Sequence, residues 1–114
     1  MYAAMYDVEA PGMGFRRFEL FVTNSPRHLQ LQRLDLDDCC SISSIQLVGV
    51  KPLLPETNPR DYLNAIARRY QGTIMNLFGP NAGDHPCTGD YVCFAMEQRE
   101  NGHRVIERES FERI

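Results

Sequence analysis

The sequence lacks any hydrophobic run close to the roughly 18 apolar residues that a membrane-spanning helix requires. Its first nine residues have no positive start and carry Asp7 and Glu9 where a secretory signal would be apolar. The chain has only four cysteines, which we expect to be reduced thiols, since a core of this size needs no disulfide framework. These absences predict a cytoplasmic protein that does not enter a membrane.

Positive charge is also scarce, and the formal net charge is −3. Lysine is almost absent: Lys51 is the only one among 12 Lys and Arg residues. Nonspecific binding to nucleic acid depends on clustered positive charge, so this balance disfavours it. Arginine instead suits directed, bidentate contacts with carboxylates or phosphates.

Nucleic-acid binding remains an alternative hypothesis, and it makes a prediction about the structure. It requires four arginines, together with His103, to gather on one surface where tyrosines stack on bases. Interleaved acidic residues would cancel much of that field. The arginines are Arg68, Arg69, Arg99 and Arg104.

What the chain does contain is typical of one globular domain. Its 114 residues, 43% of them hydrophobic, are enough for a single core without staples. Residues 1–14 end in a segment with one proline and two glycines, which predicts a short strand, or a flexible arm that a partner orders, followed by a turn. We therefore expect a single domain over residues 1–114.

Strand patterns dominate the first half of the chain. Alternation over 15–22 places Phe18, Leu20 and Val22 on one face and Phe15 and Phe21 on the other. A phase slip within 29–36 predicts a bulged strand, and the β-branched run 42–50 predicts a third.

The second half contains the best-signalled helix. Asn58 can cap it, Pro59 suits its first position, and Gly72 is expected to end it in a left-handed conformation. A strand over 73–78 and a long loop over 79–90 follow. The apolar face of the helix is expected to consist of Leu63, Ile66, Ala67 and Tyr70.

The dipeptide Asn101-Gly102 lies between two β-compatible runs and predicts a type I′ hairpin. A two-residue turn there would place Glu100 opposite His103, and Val92 near Phe111. The predicted fold is therefore α+β: a curved, mainly antiparallel sheet packed against one principal helix and closed by a C-terminal β-hairpin.

The loop carries the most reactive residues. Asp84, His85 and Cys87 resemble the parts of an activated thiolate, but a Gly- and Pro-rich loop is a poor platform for catalytic placement. No catalytic residue is predicted, and an enzyme is the less favoured class.

A metal site is not predicted either. Donors exist at His85, Cys87, Cys93, His103 and Cys39, yet the chain has no Cys-x-x-Cys pair and its remaining cysteine, Cys40, directly follows Cys39. The segment 79–83 lacks the lysine and following helix of a phosphate loop. No cofactor is predicted.

An antiparallel sheet covered by one helix leaves a second face and an unpaired edge, and a partner chain would cover both. The main hypothesis is therefore a cytoplasmic protein-interaction or regulatory module, self-associating as a homodimer, that binds through a sheet face, a sheet edge or the 79–90 loop. The alternative is a small enzyme or ligand-binding cup with that loop at its rim. The candidate binding residues are Asp84, His85, Cys87, Tyr91, Phe15 and Phe21.

Overall fold

The computed structural model describes residues 1–10, 14–27, 44–76 and 87–114. The bulged strand predicted within 29–36 and the first part of the 79–90 loop lie outside these residues. In chain order the regular elements are β1 (Tyr2–Ala10), β2 (Phe15–Thr23), β3 (Ser44–Pro52), α1 (Pro59–Tyr70), β4 (Thr73–Asn76), β5 (Cys87–Phe94), a 3₁₀ turn (Met96–Gln98), α2 (Arg99–Arg108) and β6 (Glu112–Arg113).

The strands form one open sheet in the order β4-β5-β2-β1-β3-β6. Every neighbouring pair is antiparallel. The predicted α+β class with an antiparallel sheet is therefore confirmed. Of the two possibilities for the N-terminal segment, the strand is the one observed, and β1 lies between β2 and β3 near the centre of the sheet.

Both faces of the sheet are buried. The alternation predicted for β2 is confirmed, because Phe18 and Leu20 belong to one hydrophobic cluster and Phe21 to another. The first cluster lies on the helix side of the sheet. The second cluster consists of Ala4, Tyr6, Val8, Phe21, Ile45, Leu47 and Tyr91, all buried within a single chain.

Helix α1 begins as its sequence predicts. The Asn58 side chain accepts a hydrogen bond of 3.1 Å from the backbone N–H of Asp61, and Pro59 occupies the first turn. Its buried residues are the four expected ones, Leu63, Ile66, Ala67 and Tyr70. The sequence signals of a cap and a 3.6-residue period were thus sufficient for this helix.

The end of α1 differs from the prediction in detail. The left-handed residue is Gln71, with φ of 60°, and not Gly72. Gly72 is needed for space, because a Cβ there would lie 3.1 Å from Phe94 Cε1 and overlap Val92. The chain therefore turns from α1 into β4 directly against β5.

The turn predicted at Asn101-Gly102 is wrong, as is its register of Glu100 opposite His103. Both turn residues lie inside α2, which spans Arg99–Arg108. An Asn-Gly pair favours a hairpin only when its flanking runs pair as strands, whereas here Gly102 and Ile106 follow a helical spacing and are buried together.

Gly102 has a packing role in this helix. A Cβ at this position would lie 2.6 Å from Phe18 Cβ and would overlap the Phe18 ring. The backbone of α2 therefore rests directly on β2. Val92 and Phe111 do share a hydrophobic cluster, as expected, although α2 lies between them in the chain.

We predict that Gly102→Ala destabilises the protein by about 1–3 kcal/mol, because overpacking against Phe18 outweighs the gain in helix propensity of about 1 kcal/mol. Urea unfolding of this variant, of Phe18→Leu and of the double variant forms a double-mutant cycle. The smaller side chain at position 18 should relieve part of the cost of the added methyl group on α2. Additive effects within about 0.5 kcal/mol would contradict the contact between α2 and β2.

Candidate functional site

Two of the residues proposed for binding form part of the core instead of a surface. Phe21 and Tyr91 face each other across β2 and β5, with ring centroids 4.7 Å apart in a stacked arrangement. The ring of Tyr6 meets Phe21 edge-on at 5.7 Å, and its hydroxyl donates a hydrogen bond to the Pro26 carbonyl. The ring of Phe21 is fully buried, so a partner cannot reach it in this structure.

The other four candidate binding residues, Phe15, Asp84, His85 and Cys87, lie at or beyond the limits of the described residues. Phe15 opens β2 opposite Ala10, and Cys87 opens β5 opposite Thr23, so the strand begins inside the predicted loop. The side chains of Phe15 and Cys87 are outside the described part of the chain, as are Asp84 and His85.

A groove lies along the outer edge of β4. This strand pairs with β5 on one side, and no other strand of the described residues pairs with it. Helix α1 forms the opposite wall of the groove, whose volume is about 650 Å³. The lining residues are Asp61, Asn64, Ala67, Arg68, Gly72, Thr73 and Ile74.

Two contacts hold α1 beside this edge. At the start of the helix, Arg60 Nη1 lies 2.8 Å from the Asp90 carboxylate on β5. At its end, the close packing of Gly72 fixes the turn into β4. Asp61 and Arg68 consequently lie at opposite ends of the groove, and neither forms an ion pair with a described residue.

A polar cluster joins α1 to the end of α2. The Glu109 carboxylate accepts hydrogen bonds from Arg69 Nη1 at 2.6 Å and from the Tyr70 hydroxyl at 2.7 Å, and Lys51 Nζ lies 3.8 Å away. Burial alone would raise the pKa of Glu109, but these hydrogen bonds and the two positive charges outweigh burial and lower it. Burial and the bond to Glu109 raise the pKa of Tyr70.

Tyr62 lies beside this cluster, with Lys51 Nζ 5.9 Å from its ring centroid. Its hydroxyl is buried and has no hydrogen-bond partner in the described part of the chain. Burial, and then the negative charge of Glu109, raise its pKa well above the ordinary range. The hydroxyl therefore stays protonated and is not a candidate base.

The four arginines of the nucleic-acid hypothesis do not share a surface. Arg68 lines the α1–β4 groove, whereas Arg69 and Arg104 line a cleft between the helices. Arg99 is elsewhere: its Nη2 lies 2.6 Å from the Asp7 carboxylate, and its guanidinium lies 4.7 Å from the Phe18 ring centroid.

An apolar hollow of about 510 Å³ lies at the other end of the sheet. It is lined by residues that include Tyr2, Leu47 and Ile114. The ligand-cup alternative expects Asp84, His85 or Tyr91 to converge into such a cavity. Tyr91 is not among the described lining residues, and Asp84 and His85 lie outside the described part of the chain.

Comparison with protein-family models, with curated protein sequences and with solved structures finds no match to this chain. Within the described ranges, no group of three His, Cys, Asp or Glu side chains is arranged to hold a metal ion. No helix in those ranges has both the length and the apolar character needed to cross a bilayer. The surfaces themselves are therefore the basis for a functional proposal.

Sequence reasoning missed the groove and the Glu109 cluster. Asn64 and Arg68 lie outside the apolar face predicted for the helix, and the helix sequence alone gives them no further role. Only the position of β4 makes them part of one wall of a groove. Arg69 and Glu109 are 40 residues apart, so no local spacing signals their contact.

We predict that Glu109→Gln destabilises the protein by about 1–2 kcal/mol at pH 7, because it weakens charge-assisted hydrogen bonds to Arg69 and Tyr70. The folded-state pKa of Glu109 is below its ordinary value of 4.5, so its stabilisation is fully present above that pH. It is lost as the pH falls through the folded-state pKa. Urea unfolding should therefore show the wild-type advantage shrinking in acid.

The matched control is Glu107→Gln in the last turn of α2, which removes an exposed ion pair of 2.9 Å with Arg113 of β6. That variant should change stability by less than about 0.5 kcal/mol. A wild-type advantage over Glu109→Gln that stays constant down to about pH 3, below the ordinary carboxyl pKa, would show that the carboxylate charge is not what stabilises the cluster.

Proposed function

We propose that this protein is a protein-interaction module that receives an extended segment of a partner protein as an additional strand on β4. The observation that carries the proposal is the outer edge of β4, which no other strand of the described residues pairs with, beside the α1–β4 groove. An unpaired edge offers backbone N–H and C=O groups to an incoming strand, and a flanking groove accommodates its alternate side chains.

The dimensions of the groove define the length of the partner segment that pairs with β4. The four residues of β4 extend about 14 Å, and α1 rises about 10 Å from Asp61 to Arg68. These lengths match a segment of about four or five residues in extended form. The groove volume of about 650 Å³ is enough to hold the side chains of such a segment along one side.

Charge at the two ends of the groove specifies the segment further. Helix α1 precedes β4 and is joined to it by a tight turn, so Arg68 lies near Thr73 and Asp61 near the far end of the strand. A segment antiparallel to β4 enters beside Asp61 and leaves beside Arg68. It would carry a basic residue near its amino end and an acidic residue near its carboxyl end.

Asn64 lies between these charges, in the middle of the α1 wall. Its amide supplies both a donor and an acceptor, which suits a backbone or a polar side chain of the segment. Since the sequence indicates a cytoplasmic protein, the proposed partner is a cytoplasmic protein, and the role is regulatory binding without catalysis.

The test uses a library of random, unstructured decapeptides displayed on phage and selected on the wild-type protein. We expect enriched peptides to alternate apolar and polar residues, with a basic residue preceding an acidic one. On binding, the backbone amides of 73–76 that point away from β5 should gain protection from hydrogen exchange in NMR spectra, because they acquire strand partners.

Reversing the groove charges sharpens this test. The double variant Asp61→Arg/Arg68→Asp should lose affinity for the selected peptides by about tenfold and prefer peptides with the charges exchanged. Arg113→Asp, an exposed site on the opposite edge strand, is the matched control and should bind as the wild type does. Enriched peptides that bind both variants equally, or no enrichment, would refute the proposal.

A second copy of this chain is the competing partner for the edge of β4. Light scattering over a range of protein concentrations detects it, and Met75→Lys places a charge on the 42% exposed side chain of the strand. If the protein is a dimer and Met75→Lys dissociates it, the strand that pairs with β4 comes from a second copy of this chain and not from a partner protein.

A further inference from the structure

The two helices enclose a small basic cleft that is separate from the α1–β4 groove: the described residues that line one do not line the other. Its volume is about 190 Å³. The lining residues are Arg69, Tyr70, Gln71, Asn101, Arg104 and Arg108. All six side chains carry hydrogen-bond donors, and three of them are positively charged, although the protein as a whole has a net charge of −3.

The geometry of the helices explains why the donors converge. Asn101, Arg104 and Arg108 follow the i, i+3, i+7 spacing that places side chains on one face of α2. Arg69 lies in the last turn of α1, and the left-handed Gln71 turns the chain at its carboxyl end. The Arg69–Glu109 bond of 2.6 Å joins the two helix ends and closes the back of the cleft.

The guanidinium groups retain free donors. Glu109 engages only Nη1 of Arg69, and a guanidinium has five N–H donors. Arg104 lies 3.7 Å from Glu100, but both side chains are exposed, so this pair contributes little. Arg108 forms no ion pair with any residue in the described ranges.

Asn101 is the least expected member of the cleft. The residue is only 8% exposed, yet it lines the cleft. Its side-chain amide offers donors to an oxygen-bearing ligand that enters the cleft.

Stabilisation of helix ends by positive charge explains only part of this arrangement. Arg69 and Arg108 lie in the last turns of their helices, where arginine favours the helix dipole. Arg104 does not lie in a last turn, and two neutral amides gain nothing from the dipole. The convergence of all five groups on one cleft requires another reason.

We propose that this cleft binds a phosphate monoester dianion. Three guanidinium groups and two amides offer more donors than the two oxygens of a carboxylate accept, whereas a phosphate monoester presents three oxygens and a charge near −2. The cleft is smaller than the roughly 300 Å³ of typical small-molecule sites, so it holds the phosphate group and leaves the rest of the ligand outside.

A polynucleotide is disfavoured by the rest of the surface. Several other arginines are neutralised by carboxylates, including Arg60 by Asp90 at 2.8 Å and Arg99 by Asp7 at 2.6 Å. Continuous binding along a nucleic-acid backbone needs a track of unneutralised positive charge. The cleft is instead an isolated basic site.

Isothermal titration calorimetry at constant ionic strength tests the proposal with phenyl phosphate, a phosphoserine tripeptide, acetate and a short oligothymidylate. We expect saturable binding of phenyl phosphate in the millimolar range or tighter, and much weaker binding of acetate. Tighter binding of the phosphoserine peptide than of phenyl phosphate would identify a phosphorylated protein as the source of the group; the reverse order would identify a small metabolite.

Three substitutions locate the site. Arg104→Gln and Arg108→Gln should each weaken phenyl phosphate binding about tenfold, the equivalent of one charge-assisted hydrogen bond. Asn101→Asp is nearly isosteric and should abolish binding by placing a negative charge in the cleft. Arg113→Gln, outside the cleft, is the control and should not change the affinity.

Three outcomes would overturn the proposal. They are the absence of saturable phosphate binding at tens of millimolar, binding that is equal in all the arginine variants, and binding of oligothymidylate tighter than that of both monoesters. Unfolding midpoints of the arginine variants confirm that each is folded. None of these results depends on whether a peptide binds to β4, so the two proposals succeed or fail separately.

Discussion

The backbone of α2 lies directly on the ring of Phe18, with no side chain between them at Gly102. This contact fixes the height of the helix above the sheet. Because α2 is so close, Val105 and Ile106 join the same core as the strands, and Glu109 arrives within hydrogen-bond distance of Arg69. The remaining architecture on this side of the sheet depends on that single close approach.

Glu109 has a corresponding role at the other end of α2. Its carboxylate connects Tyr70 and Arg69 of α1 with Lys51 of β3, so one side chain links two layers of the protein. The second face of the sheet is held differently, by aromatic packing of Tyr6, Phe21 and Tyr91. Apolar packing thus holds both the helices and the strands, and the Glu109 contacts add a polar link between the two helices and β3.

Elements whose signals are local could be predicted from the sequence. Asn58 and Pro59 mark the start of α1, and the alternation around Phe18 and Phe21 marks β2, because caps and short periods need only neighbouring residues. Helix α2 could not be predicted in this way. Asn101-Gly102 favours a turn locally, and only the tertiary contact with Phe18 explains a glycine within a helix.

The candidate sites could not be predicted from the sequence either, because they too depend on tertiary contacts. Arg69 and Arg108 look like ordinary residues of helix ends, and Arg68 looks like a solvated one. Their relation to β4 or to Asn101 exists only after α1 and α2 have packed on the sheet. Phe21, by contrast, was assigned correctly to the second face, but the sequence did not decide whether a partner chain or a curled sheet buries that face.

The two edges of the sheet are unequal, and this asymmetry limits how the protein can assemble. Edge strand β6 is only Glu112–Arg113, and both of its side chains are exposed and charged, so it offers little backbone to a further strand. Edge strand β4 is twice as long and lies beside the groove. Growth of a fibre by adding copies head to tail needs two receptive edges. Among the described strands, β4 alone offers the edge that we propose to be receptive, and under that proposal a chain of copies ends at its first addition.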